Sequence, residues 1–152
     1  MKAYRLTKTR YASTAFEGTG SRLAGGRWNS PGRSVVYTST HPSTAVLEIL
    51  VHVRCADLLR DAYTMISADI PSALILDLDT GKLPAGWDAA QETAASTAIG
   101  DEWYDTLASV ALRVPSVVMR GEHNVLLNPN HPDWNRVTIG TPERFLFDPR
   151  LF

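Results

Sequence analysis

Residues 42–53, Pro-Ser-Thr-Ala-Val-Leu-Glu-Ile-Leu-Val-His-Val, constrain the fold more than any other stretch: an apolar run of helical length that opens on a proline and holds one carboxylate, Glu48. Proline suits the first helical position, where its missing N–H would have no partner and its φ is already set. Ala45, Val46, Leu47, Ile49, Leu50, Val51 and Val53 leave almost no polar face, and a helix apolar all round is expected to be buried. A carboxylate in such a helix must reach water, find partners or give up its charge, because burying it bare is strongly unfavourable. Glu48 is therefore either on a narrow exposed edge near Thr44 and His52 or a functional group.

Around this helix the pattern alternates between β-rich and loop-rich segments. Residues 3–6 read as a first strand, 14–33 as a long Gly-, Ser- and Arg-rich loop, and 34–38 as a second strand leading into the helix. Residues 63–70 and 73–78 read as strands joined at Pro71-Ser72, and 82–87 as a loop. Residues 91–98 and 101–112 suggest one or two helices, the second with Trp103, Leu107, Val110 and Ala111 on one stripe. Strands are expected at 114–119, with Pro115 near the opening, and at 124–127. After the turn-rich segment 128–133, residues 136–139 and 144–147 read as closing strands. Without strict βαβ alternation the class is α+β, with mixed β-sheets and inserted helices. No repeat or linker divides the chain, so residues 1–152 are expected to form a single domain.

Composition excludes several classes. With 44% hydrophobic and 20% charged residues the chain can bury a core, and a formal net charge of -1 lacks the basic footprint needed to neutralise phosphates, so direct nucleic-acid binding is not expected. The single cysteine, Cys55, cannot form an internal disulfide and fits a reducing compartment. No apolar run approaches the roughly 20 residues that span a bilayer, and the first ten residues have no signal-peptide core, so no membrane is expected and a cytoplasmic location is. His41, His52, His123 and His131 share no ligand spacing, and His52-x-x-Cys55 offers two ligands where a zinc site needs three or four. No metal is expected.

Four groups of residues could carry chemistry. In Gly25-Gly26-Arg27-Trp28-Asn29 the glycines allow close backbone approach and Arg27 offers a planar fork suited to phosphate or carboxylate; the plain alternative is a turn, a solvated arginine and a core tryptophan. Gly18-Thr19-Gly20 is not a dinucleotide fingerprint, since Leu23 stands where the third glycine belongs and no helix is expected to follow. Tyr37 could stack on a planar base and Ser39 hold a ribose oxygen, against the ordinary roles of core tyrosine and turn serine. Ser116, with Glu122, His123 and Asn124 downstream, lacks the Gly-x-Ser-x-Gly elbow of a serine hydrolase.

Taken together and in order, Gly25-Gly26-Arg27-Trp28-Asn29, Val36-Tyr37-Thr38-Ser39, Leu47-Glu48, Ile99-Gly100-Asp101-Glu102-Trp103, Val114-Pro115-Ser116 and residues 124–132 resemble the RES domain of bacterial toxin-antitoxin systems, named for arginine, glutamate and serine. Residues 55–93 carry no motif of that family. The resemblance implies an ADP-ribosyltransferase-like fold and a toxin that depletes NAD, its substrate, by hydrolysis or phosphorolysis of the nicotinamide-ribose bond; transfer of ADP-ribose to a macromolecule is the alternative. It assigns catalytic roles to Arg27, Glu48, Tyr37 and Ser116, and NAD contacts to Gly26, Arg27, Trp28, Tyr37, Ser39 and Asn124. Arg27 would hold the pyrophosphate, Tyr37 clamp the nicotinamide side, and Ser116 position a ribose hydroxyl or the Glu48 carboxylate. It also implies a helix-turn-helix, Xre-like antitoxin partner and allows a homodimer.

Overall fold

The computed structural model describes residues 1–53, 58 and 61–151, and its frame is one eight-stranded mixed sheet. The strands are β1 (Lys2–Lys8), β2 (Val36–Ser39), β3 (Tyr63–Asp69), β4 (Ile75–Asp77), β5 (Ala111–Pro115), β6 (His123–Leu127), β7 (Thr138–Ile139) and β8 (Glu143–Phe145). The described α-helices are α1 (Thr19–Ala24), α2 (Pro42–Leu50) and α3 (Ala94–Asp105). The strand order is β4-β5-β6-β2-β1-β3-β7, with β8 also on β3, and only β4 and β5 run parallel. The expected α+β class with a mixed sheet is what the chain adopts.

One seam in this sheet matters for everything that follows. β1 pairs with β3 along its whole length, from Lys2↔Asp69 to Lys8↔Tyr63, and β2 pairs with β6 from Val36↔Leu127 to Ser39↔Asn124. Between β1 and β2 the register contains a single pair, Tyr4↔Ser39. The sheet is thus two ladders joined at one point, and Arg5 bridges them with Nη1 2.8 Å from the Tyr37 carbonyl.

Period-two alternation puts the middle strands' side chains into separate cores. Val125 and Leu127 of β6 pack with Ala3, Val36 and Ile70, whereas Leu126 packs with Leu112, Val114, Trp28 and Trp103 under α3. A third cluster, Leu6, Ala45 and Tyr63 with Ile49, Phe145 and Phe147, seats α2 on β1 and β3. Each fully buried side chain of this kind contributes about 1.5–3 kcal/mol relative to exposure.

Several expectations are corrected. α2 stops at Leu50, and its buried residues are Thr44 and Ala45, with Val51 57% exposed. It is half-buried rather than enclosed, because one face lies on the sheet and another forms the wall of a cleft. The segment 14–33 is not all loop: α1 begins at Thr19, within Gly18-Thr19-Gly20, where no helix was expected to follow. Residues 91–112 contain one helix, α3, after which Val110 is fully buried and Ala111 and Leu112 enter β5. Pro115 closes β5 instead of opening it. β3 and β4, adjacent in sequence, lie in opposite halves of the sheet. Cys55, and with it the His52-x-x-Cys55 pair, lies outside the described residues. No described helix is long and apolar enough to cross a membrane.

Candidate active site

Where β1 and β2 part, a cleft of about 660 Å³ opens against α2 and the Gly25–Asn29 turn, within the roughly 300–1,000 Å³ usual for small-molecule sites. Gly26, Arg27, Trp28, Tyr37, Ser39, Glu48 and Asn124 all line it, so residues read separately from the sequence share one wall. Ser116 is not on that wall. It is buried behind Glu48 and reaches it by a hydrogen bond.

The carboxylate is held asymmetrically. Ser116 Oγ donates to Glu48 Oε1 at 2.9 Å and Asn124 Nδ2 donates to the same oxygen at 2.6 Å. Asn124 is oriented in turn by Ser39, whose Oγ donates to Asn124 Oδ1 at 2.7 Å, and Ser116 Oγ accepts from the Met119 amide at 3.0 Å. Among the described residues Oε2 has no hydrogen-bond partner, so it is the oxygen left for a ligand. The support is long-range: 68 residues separate Glu48 from Ser116 and 76 separate it from Asn124. Ser116 sits in the turn just past β5, with its amide donating to the Glu122 carbonyl at 2.9 Å, and His41 Nδ1 lies 2.6 Å from Glu122 Oε2 across this turn. No histidine bonds Ser116 among the described residues, so a Ser-His hydrolase arrangement is absent from them.

Tyr37 stands two residues along β2 from Ser39, on the same face. Its hydroxyl donates to Asn29 Oδ1 at 2.7 Å and accepts from the Trp28 amide at 3.1 Å, which fixes the ring against the cleft. Burial pushes the phenol well above its ordinary value, so it stays neutral at physiological pH. The hydroxyl takes the place of a side chain on Gly26: a Cβ there would come within 2.7 Å of it. Asn29, almost fully buried, completes the turn by donating to the carbonyls of Ser21 and Ser30, each at 3.1 Å.

Two arginines line the cleft, and they are held differently. Arg27 Nη1 donates to the Trp87 carbonyl at 2.9 Å, and Nη2 to those of Ala89 at 2.8 Å and Ala90 at 3.4 Å, which pins the strap 87–90 to the site while leaving donors over. Trp87 adds a ring contact to Trp28, 6.1 Å between centroids. Arg5 was not singled out from the sequence. Beyond its bond to the Tyr37 carbonyl, its Nε is buried without a hydrogen-bond partner, and among the described residues no carboxylate lies within ion-pair distance. Desolvation lowers its pKa to about 10, which leaves it cationic at neutral pH. The available signal was a charged residue inside the strand Ala3-Tyr4-Arg5-Leu6, which alternation alone does not distinguish from a solvated position. Among the described residues no group of three or more His, Cys, Asp or Glu side chains could hold a metal.

The RES domain family profile matches residues 2–148. The chain is 43% identical over 153 residues to a protein named Toxin Res from Photorhabdus laumondii, covering 99% of this chain and 97% of that protein. It is 32% identical to the Prs ADP-ribosylating toxin of a Sphingobium species, covering 93% and 89% respectively. In the crystal structure of the MbcT-MbcA toxin-antitoxin complex of M. tuberculosis a chain superposes with a TM-score of 0.76 at 19% identity, over 95% of this chain and 83% of that one, which bears out the ADP-ribosyltransferase-like fold. With a profile running almost from end to end and curated relatives matched over nearly their full length, the chain belongs to the RES domain family.

Proposed function

We propose that this protein is the toxin of a toxin-antitoxin pair and that it depletes NAD by cleaving the bond between nicotinamide and ribose, with water or phosphate as acceptor. The observation that carries the reading is Glu48: a carboxylate fixed at one oxygen by Ser116 and Asn124, with the other unpartnered among the described residues, in a cleft that also holds Arg5 and Arg27. When the bond from C1′ to the nicotinamide nitrogen breaks, its electron pair goes to that nitrogen and the base leaves neutral. No general acid is required. The positive charge left on the sugar is the charge a preorganised carboxylate stabilises, as in other glycosidic cleavages through an oxocarbenium-like transition state. A lone pair of water or phosphate then forms the new bond to C1′, and water releases its proton. Arg5 and Arg27 share the pyrophosphate, Tyr37 clamps the nicotinamide side, and Ser116 and Asn124 position Glu48.

The test is nicotinamide release from NAD by pure protein, with and without phosphate, followed by chromatography. Glu48→Gln keeps the shape and removes the charge, and it is expected to lower kcat at least about 100-fold with its thermal midpoint preserved. No release by the wild-type protein, or an active Glu48→Gln variant, would overturn the reading. A second reading, transfer of ADP-ribose to a macromolecule, is favoured by the relative named for ADP-ribosylating activity. NAD labelled in the adenylate separates the two: label on a protein band marks a transferase, and label in free ADP-ribose marks a hydrolase. The neutralising partner is a helix-turn-helix antitoxin that covers the cleft, and its co-expression is expected to restore growth and suppress nicotinamide release.

A further inference from the structure

We infer that Asp101 of α3 is a positioning residue: through Ser30 it holds the Gly25–Asn29 turn so that Arg27 meets the pyrophosphate in a fixed orientation; this rests on the NAD reading above. The segment Ile99-Gly100-Asp101-Glu102-Trp103 carries part of the family resemblance, yet Asp101 does not line the cleft. Its carboxylate instead takes both donors of Ser30: the amide donates to Oδ1 at 2.9 Å and the hydroxyl to Oδ2. Arg33 braces the contact, with Nη1 2.8 Å from Ser30 Oγ and 3.3 Å from Asp101 Oδ2.

The turn needs an anchor of this kind. It closes on itself through the Gly26–Asn29 bridge, in which each amide donates to the other residue's carbonyl, at 2.8 and 3.2 Å. Arg27 and Trp28 form the loop of this small hairpin, and such a hairpin has marginal stability by itself. α3 holds it at three points whose spacing, i, i+3 and i+4, puts them on one helix face. Thr97 Oγ1 lies 3.4 Å from the Arg27 carbonyl, Gly100 lets the Trp28 carbonyl rest directly against the helix, and Asp101 takes Ser30. Tyr37 holds the turn from the other side, through the Trp28 amide and Asn29 Oδ1.

Of the three contacts from α3, the one at Asp101 is charge-assisted, and hydrogen bonds of that class are about twice as strong as neutral ones. Arg27 reaches the cleft from the loop that Asp101 fixes, so a shift of the backbone at Ser30 is carried to its guanidinium. Misplacing a binding group by about 1 Å can cost roughly 100-fold in rate.

The experiment measures KM and kcat for nicotinamide release from NAD, with the thermal midpoint of each variant alongside. Asp101→Asn, whose amide cannot accept from both Ser30 donors, is expected to raise KM about tenfold with kcat within about threefold. Ser30→Ala loses the hydroxyl bond and keeps the amide, and is expected to raise KM about fivefold. Asp105→Asn is the control: it breaks an ion pair to the same Arg33 on the same helix without touching Ser30, and is expected to leave KM unchanged. In an Arg27→Ala background, Asp101→Asn is expected to raise KM by less than about twofold more, because the group it positions is gone. A KM within about twofold of wild type in Asp101→Asn, or in Ser30→Ala should the first variant not fold, overturns the assignment while the NAD reading stands. An equal rise in Asp105→Asn, or an undiminished one in the Arg27→Ala background, overturns it too. If wild type releases no nicotinamide, the NAD reading falls and takes the assignment with it.

Discussion

Arg5 and Arg27 occupy one cleft on opposite terms. Arg27 gives its fork to backbone carbonyls and so builds part of the wall, whereas Arg5 carries a buried charge that nothing described on the protein neutralises. A desolvated cation without a counter-charge costs the fold stability, and a cavity beside it is where an anionic ligand offsets that cost. Arg5→Met, which keeps the length and removes the charge, is expected to change unfolding free energy by less than about 1 kcal/mol while raising KM for NAD about 10- to 100-fold. Denaturant unfolding and steady-state kinetics check the two halves. The contrast also explains what could be read in advance at this level. Glu48 stands out because a lone carboxylate in an apolar helix contradicts its surroundings. Arg5 does not stand out, since what sets it apart is an absent partner, and its surroundings are settled by β2, whose Tyr37 lies 32 residues away, and by β3 opposite it at Ile66.

α3 is joined to the Gly25–Asn29 turn by backbone contact as much as by side chains. Gly100 lies directly against the Trp28 carbonyl, and a Cβ built there would fall 1.7 Å from that oxygen, a clash with rigid backbone that no rotamer can relieve. Gly100→Ala is expected to cost on the order of 3 kcal/mol and to lower the thermal midpoint together with activity, because it pushes α3 away from the residues that frame the cleft. Element boundaries were legible only where one face was solvated. The apolar run through Val110, Ala111, Leu112 and Val114 suits a buried helix as well as a strand with both faces covered, and the second is what forms. In α2 the run of large apolar residues pointed to full burial, yet part of that surface faces the cleft, which a one-dimensional pattern does not record. The parallel pairing of β4 with β5 likewise depends on a return from the far half of the sheet.

Across the molecule, acid stability depends on carboxylates held by basic partners. A hydrogen bond from Lys8 lowers the pKa of Asp61, a bidentate contact from Arg33 lowers that of Asp105, and Arg150 lowers that of Asp148. A depressed carboxylate contributes stability that is present above its ordinary value of 3.8 and is lost as pH falls through the folded value. Asp105→Asn is expected to flatten the acid limb of stability against pH below 3.8, which denaturant midpoints taken across that range will register. The cleft itself depends on chain closure: Glu48 comes before residue 50, while Ser116 and Asn124, which hold it, are supplied from the last quarter of the chain. A growing chain therefore cannot hold Glu48 in place until the segment carrying Ser116 and Asn124 has followed it, 68 and 76 residues later. On the proposed function, the active species first exists when both ladders of the sheet have closed, and an inhibitory partner made alongside it would have that interval in which to be waiting.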